Sequence, residues 1–191
     1  MIRLFYKVLR TGLLTEPAPA PLKDDELEQT GAAVRRAIDR RFAGSLAIRA
    51  VDAGSCNGCE LEIHALNNAY YDIERFGVHF VASPRHADVL LVTGPVSRHM
   101  ETALLRVYEA TPNPKWVIAV GDCAACGGEF GTTYASCGAV ENVIPVDVVI
   151  PGCPPTPVDL LRGILQAMGG QGSENRKQET VRRAEREAIS P

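Results

Sequence analysis

The sequence predicts an α/β fold built on a doubly wound parallel sheet. Three observations lead there. Five short apolar runs recur between residues 46 and 150, segments of helical periodicity lie between them, and loops bearing glycine and cysteine follow three of the runs directly. Runs this apolar are buried on both faces, and in alternation with helices that means a parallel sheet covered on each side.

The elements follow in order. Residues 1–15 read as a short amphipathic helix. At about 100° per residue, Ile2, Phe5, Leu9 and Leu13 share one face while Arg3, Lys7 and Arg10 cluster on another. Pro17, Pro19 and Pro21 break that helix and make an extended spacer. Residues 24–42 form a helix that opens on Asp24, Asp25 and Glu26 and closes on Arg40 and Arg41, the charge order the helix dipole favours. The strands are 46–52, 78–82, 88–93, 116–121 and 146–150. Helical spacing links Ile63, Leu66, Tyr70 and Ile73, and again Met100, Ala103, Leu104 and Val107. A last helix carries Val158, Leu161, Leu165 and Met168, opens at Pro155 or Pro157 and stops at Gly169-Gly170. The expected architecture is a flavodoxin-like doubly wound parallel sheet with an N-terminal helical arm. Its parts are 1–45 (arm, spacer and helix), 46–170 (the sheet domain) and 171–191 (a polar, charged tail).

Composition excludes several functions. A net charge of −3 and 6% aromatic residues leave no basic, base-stacking surface, so no nucleic acid is expected. No apolar run reaches the roughly 20 residues that span a bilayer. No P-loop and no GxGxxG appears, so no nucleotide is expected either. Without a signal peptide the expected compartment is a reducing cytoplasm, where the six cysteines serve as metal ligands or redox groups rather than disulfides.

The cysteines carry the chemistry. Cys56 and Cys59 follow the strand 46–52 in AGSCNGCELE, Cys123 follows 116–121 in VGDCAACGGEF, and Cys153 follows 146–150 in IPGCPPTP. In a parallel sheet the carboxyl ends of the strands share one edge, where such folds place their sites. Four thiols distant in sequence therefore meet at one edge. Gly54, Gly58, Gly127, Gly128 and Gly152 let backbone approach closely there, and helices after Cys59 and Cys153 offer their positive ends to thiolates. Four thiolates are the usual ligands of a [4Fe–4S] cluster. Other readings stay open. CNGC alone suits a thioredoxin-like pair but leaves Cys123 and Cys153 unused. Cys56/Cys59 with Cys123/Cys126 suits two zinc knuckles in a zinc-stabilised scaffold. Six inert buried cysteines fit poorly with glycine-rich loops. His64, His79, His86 and His99 give no ligand signal.

Over residues 46–168 the motifs SCNGCELE, LLVTGPV, GDCAACGG and IPVDVVIPGCPPTP stand in the order and spacing of a known family. The chain resembles the small, 20 kDa-type iron–sulfur subunits shared by group 4 membrane-bound [NiFe] hydrogenases (formate hydrogenlyase and hydrogenase-4 types) and respiratory complex I. The complex I branch has two adjacent cysteines where this chain has C-N-G-C, so the hydrogenase branch fits better. The resemblance implies that Cys56, Cys59, Cys123 and Cys153 hold one proximal [4Fe–4S] cluster. It places Glu62 at a subunit interface and leaves Cys126 and Cys137 as spare thiols. Gly94, Pro95 and Val96 would shape the cluster pocket.

The implied function is that of an electron-transfer subunit in an oxidoreductase complex. Its partners would be a large NiFe or complex I-like catalytic subunit, a ferredoxin-like 2×[4Fe–4S] subunit and integral membrane subunits. The complex would interconvert protons and H₂ on the cytoplasmic side of the cell membrane, with this chain peripheral. The chain itself offers no acid/base pair or nucleophile. The alternative is the equivalent subunit of a complex I-like NADH/quinone oxidoreductase, or of a related complex lacking NiFe.

Overall fold

The computed structural model describes residues 2–11 and 24–169. Leu13, the proline spacer, Gly170 and the tail from 171 lie outside the described residues. Helix α1 spans Ile2–Thr11, and α2 spans Asp25–Arg41 behind Asp24, whose side chain accepts the Leu27 N–H at 3.1 Å. The rest alternates as the apolar runs foretell: β1 Leu46–Asp52, α3 Gly58–Ala65, β2 Val78–Phe80, β3 Val89–Thr93, β4 Val96–Ser97, α4 Arg98–Ala110, β5 Trp116–Val120, α5 Gly121–Cys126, β6 Ser136–Gly138, β7 Val148–Ile150 and α6 Pro157–Met168.

Five of these strands form one parallel sheet in the order β2-β1-β3-β5-β7. Counted alone they run 2-1-3-4-5, the flavodoxin-like order, which reverses direction between β1 and β3. Alternate residues of each strand feed two cores. Ile48, Val89, Leu91, Ile118, Val120, Val148 and Ile150 pack with α2 and α6 on one face. Leu90, Val92, Val117 and Ala119 pack with Leu104 of α4 and Ala124 of α5 on the other. Each large aliphatic side chain so buried contributes about 1.5–3 kcal/mol. Helix α6 opens on a capping box, with Thr156 and Asp159 each bonding the other's backbone N–H, and Pro157 takes the first helical position.

Three expectations need correction. The spacing of Ile63, Leu66, Tyr70 and Ile73 suggests one helix, yet α3 ends at Ala65. Asn68 Oδ1 accepts the N–H groups of Tyr70 and Tyr71, at 2.8 and 2.9 Å, and so turns the chain. Ile73 then sits in a separate 3₁₀ turn, Ile73–Phe76. Strand 146–150 starts only at Val148, because Asp147 uses its own N–H and its Oδ2 to bond Val117. Residue 121 opens α5 instead of closing β5. The antiparallel ribbon of β4 and β6, and α5 itself, were not expected.

Candidate metal centre

Each cysteine loop is built by local bonding. After β1, Asp52 Oδ1 accepts from Gly54 N at 2.7 Å and Ser55 N at 2.8 Å, and Ser55 Oγ accepts from Asn57 N at 3.0 Å. This presents Cys56 outward and puts Cys59 in the first turn of α3, not ahead of it as the sequence suggested. The loop rests on Gly94, where a Cβ would lie 2.5 Å from Ser55 N at a φ of +74°. The Gly94-Pro95 turn thus braces the Cys56 loop, and any side chain there would push it away.

The loops carrying Cys123 and Cys153 are tied together. Asp122 N donates to Gly152 O at 2.9 Å, and Gly152 N donates to Asp122 Oδ1 at 2.8 Å. Gly121 is where they meet α3. Its φ is +82°, and a Cβ on it would stand 2.7 Å from Cys59 Sγ and 3.2 Å from Gly152 O. A Cβ on Gly58 would lie 3.5 Å from Cys56 Sγ and 4.0 Å from Pro154, which follows Cys153. A Cβ on Gly128 would lie 2.7 Å from Cys123 Sγ. Cys153 stands clear of α6, separated from Pro157 by Pro154, Pro155 and Thr156.

Burial and neighbouring acidic groups act on the thiols together. A helix first turn lowers a thiol pKa, but at Cys59 burial wins and pushes the thiol up to about 11. After burial the upward push comes from Glu60, then Cys56, Cys123 and Cys153. Cys123 is also raised, by burial first and then by Cys153, Cys56, Asp122 and Cys126. The charges acting on Cys59 therefore include the other three expected ligands. Cys126 is exposed, its Sγ donating to Asp122 O at 3.2 Å. Cys137 is buried elsewhere, against Glu101 Oε2 at 3.4 Å, and burial raises it. Among the described residues no three or more His, Cys, Asp or Glu side chains are drawn together as ligands of a single metal ion. The donor set of four thiols with no imidazole, on glycine-opened backbone, fits an iron–sulfur cluster, whose thiolates bind separate irons.

Sequence reasoning singled out Glu62, which is half-buried on α3, and passed over Glu60. Thr93, buried at the end of β3, donates its hydroxyl to Glu60 Oε1. Glu60 Oε2 is buried and has no hydrogen-bond partner among the described residues. Its one legible signal was its place directly after Cys59. His64 is exposed and lines a cavity of about 280 Å³ together with Arg49, Glu60 and Thr93.

A doubly wound sheet with thiols from three loops along its carboxyl edge defines a class: an α/β domain with a cysteine-lined sheet edge. Residues 56–167, more than half of the chain, match the family described as NADH ubiquinone oxidoreductase, 20 kDa subunit, and the chain belongs to that family. It is 43% identical over 151 residues to formate hydrogenlyase subunit 7 of Escherichia coli, a match covering 79% of this chain and 58% of that protein. It is 50% identical over 118 residues to a probable membrane-bound hydrogenase subunit, mbhJ, of Pyrococcus furiosus, covering 62% of this chain and 71% of that one. Among solved structures it is similar to a chain of the membrane-bound sulfane sulfur reductase, an archaeal respiratory membrane complex. There the TM-score is 0.60 and the identity 34%, over 74% of this chain and 76% of that one. Two of these relatives are named as parts of membrane-bound complexes; in this chain no helix among the described residues is long and apolar enough to cross a membrane.

Proposed function

We propose that the chain is an electron-transfer subunit of a membrane-bound [NiFe] hydrogenase complex of the formate hydrogenlyase type, holding one [4Fe–4S] cluster on Cys56, Cys59, Cys123 and Cys153. One observation carries this reading: at Gly121 the Cys59 thiol meets the loop of Cys153, a Cβ there standing 2.7 Å from Cys59 Sγ and 3.2 Å from Gly152 O. When bound, the cluster supplies one-electron chemistry with no bond made or broken. The chain holds it from three loops, keeps Cys59 half-buried from solvent, and fixes two of those loops to each other through Asp122 and Gly152. Exposed apolar side chains surround the same motifs: Leu61, two residues after Cys59, and Phe130 and Tyr134, in the segment after Cys123. They suit burial under a large catalytic subunit, with a ferredoxin-like subunit as the second electron partner. The complex sits on the cytoplasmic face of the cell membrane, joined to integral membrane subunits, with this chain peripheral.

Anaerobically purified protein or complex is expected to be brown, with about four irons and matching acid-labile sulfide per chain. A colourless protein with stoichiometric zinc would overturn the assignment in favour of a zinc scaffold.

The likeness to a chain of a sulfane sulfur reductase, an archaeal respiratory membrane complex, supports a second reading, the same subunit in a related respiratory complex that is not a hydrogenase. The co-purifying large subunit discriminates: two CxxC pairs mean hydrogenase, and their absence means the second reading.

A further inference from the structure

Helix α5 carries two thiols, Cys123 and Cys126, at helical spacing, and the proposed cluster uses only the first. Gly127 N donates to Cys123 O at 2.9 Å, so helical register holds through Cys126. Residues i and i+3 of such a helix share a face with Cα atoms about 5 Å apart, inside the roughly 4.4–6.8 Å that a disulfide spans. Closing the bond draws the two Cβ atoms together by about 1 Å from helical spacing. Gly127 and Gly128, both at positive φ just past Cys126, give the helix end room to yield. The Cys126 side chain already turns the right way. Its Sγ donates to Asp122 O at 3.2 Å, and that carbonyl shares a peptide unit with Cys123 N. The sulfur of Cys126 thus lies back over the turn that holds Cys123. Exposure separates their roles, since Cys126 is exposed and Cys123 half-buried.

We propose that Cys126 is a modification site, forming a reversible disulfide with Cys123 that withholds this ligand while the centre is empty. This rests on the reading that Cys123 is one of the four cluster ligands. The oxidant is a small-molecule disulfide of the glutathione class. The thiolate of Cys126 attacks one of its sulfurs, forms a mixed disulfide and expels one thiolate. Cys123 then attacks the Cys126 sulfur and expels the second. The protons lost by the two cysteines end on the two thiols released, so the cysteine pair is oxidised by two electrons and the reagent reduced by two. A bridged sulfur has no thiolate to give to iron, so bridge and cluster exclude each other. The bridge also keeps Cys123 from oxidation to sulfinic acid, which thiols do not reverse. The thiols of a reducing cytoplasm reopen it. Because the proposed large subunit covers the nearby Phe130 and Tyr134, the switch acts on the free subunit, ahead of assembly.

For the test, full-length protein freed of iron is held in reduced and in oxidised glutathione. Free thiols are then alkylated and disulfides mapped by peptide mass. Oxidised wild type is expected to yield a peptide in which Cys123 and Cys126 are joined, and Cys126→Ser to yield none. Parallel samples, not alkylated, next meet a [4Fe–4S]-loaded carrier protein with no free thiol present, and iron per chain is measured. Oxidised wild type is expected to take up no iron until a dithiol reductant is added, whereas oxidised Cys126→Ser loads without it. A bridge between Cys56 and Cys59 with Cys123 and Cys126 both alkylated would overturn the proposal. Equal loading of oxidised wild type and oxidised Cys126→Ser would overturn it too. Reduced wild type that never loads would instead defeat the cluster reading, and the disulfide map, made before any iron is offered, decides the bridge separately.

Discussion

At Gly121 one hydrogen decides whether the thiol edge closes. A methyl there meets Cys59 Sγ at 2.7 Å on a backbone of positive φ. Backbone strain of this kind costs on the order of 1–3 kcal/mol before the clash is counted. Gly121→Ala is therefore expected to lower the unfolding free energy from urea titration by that order and to reduce iron content. Wild-type values for both would remove Gly121 from the site. The thiols themselves divide sharply. Serine at Cys56, Cys59, Cys123 or Cys153 is expected to abolish iron retention, whereas Cys126→Ser and Cys137→Ser retain it, as measured by iron and sulfide per chain. Retention in Cys123→Ser with loss in Cys126→Ser would exchange those two assignments. The placement of Cys56, Cys59, Cys123 and Cys153 at the sheet edge was readable in the sequence because each follows an apolar run in a glycine-bearing loop. Glu60 was not, since its burial depends on Thr93, a residue 33 positions away that only folding brings near.

Elements that depend on apolar runs were legible, and those that depend on single side-chain bonds were not. The strand β1 matches its predicted span, because Leu46, Ile48 and Val51 face the two cores. The break after Ala65 was missed because a heptad-like spacing of apolar residues continues through it, while one asparagine side chain turns the backbone. The ribbon of β4 and β6 has two or three residues a strand, too short for any period to show. Helix α1 is amphipathic as read, with Phe5 and Leu9 each 69% exposed beside Arg3, Lys7 and Arg10. Such a helix suits an anionic membrane surface, each cation contributing about 1 kcal/mol. Deleting residues 1–15 is expected to release the subunit or its complex from membranes with iron content intact. Unchanged sedimentation with the membrane fraction would exclude an anchoring role for this arm.

Across the whole molecule, stability and site are separable. The two cores are mainly aliphatic, with Cys59 packed against one and Cys137 within the other, so on the proposed ligand set segments 53–59, 121–128 and 151–156 are the ones that would gain restraint from the cluster. Oxidative removal of the cluster with a chelator is expected to accelerate amide exchange in those three segments by tenfold or more and to leave β1, β3 and β5 protected. Uniform loss of protection would mean that the fold itself needs the metal. The spacing of the thiols along the chain has a further consequence during synthesis. A ribosome that has delivered everything through β5 and α5 has exposed Cys56, Cys59 and Cys123 but neither β7 nor Cys153. The growing polypeptide thus spends the interval from residue 123 to residue 153 with three thiols gathered and the fourth not yet made. A cluster delivered in that interval would have an open corner, and completion waits on the edge strand and the loop that follows it. On the proposed ligand set, the last loop to emerge is the latch on the cargo.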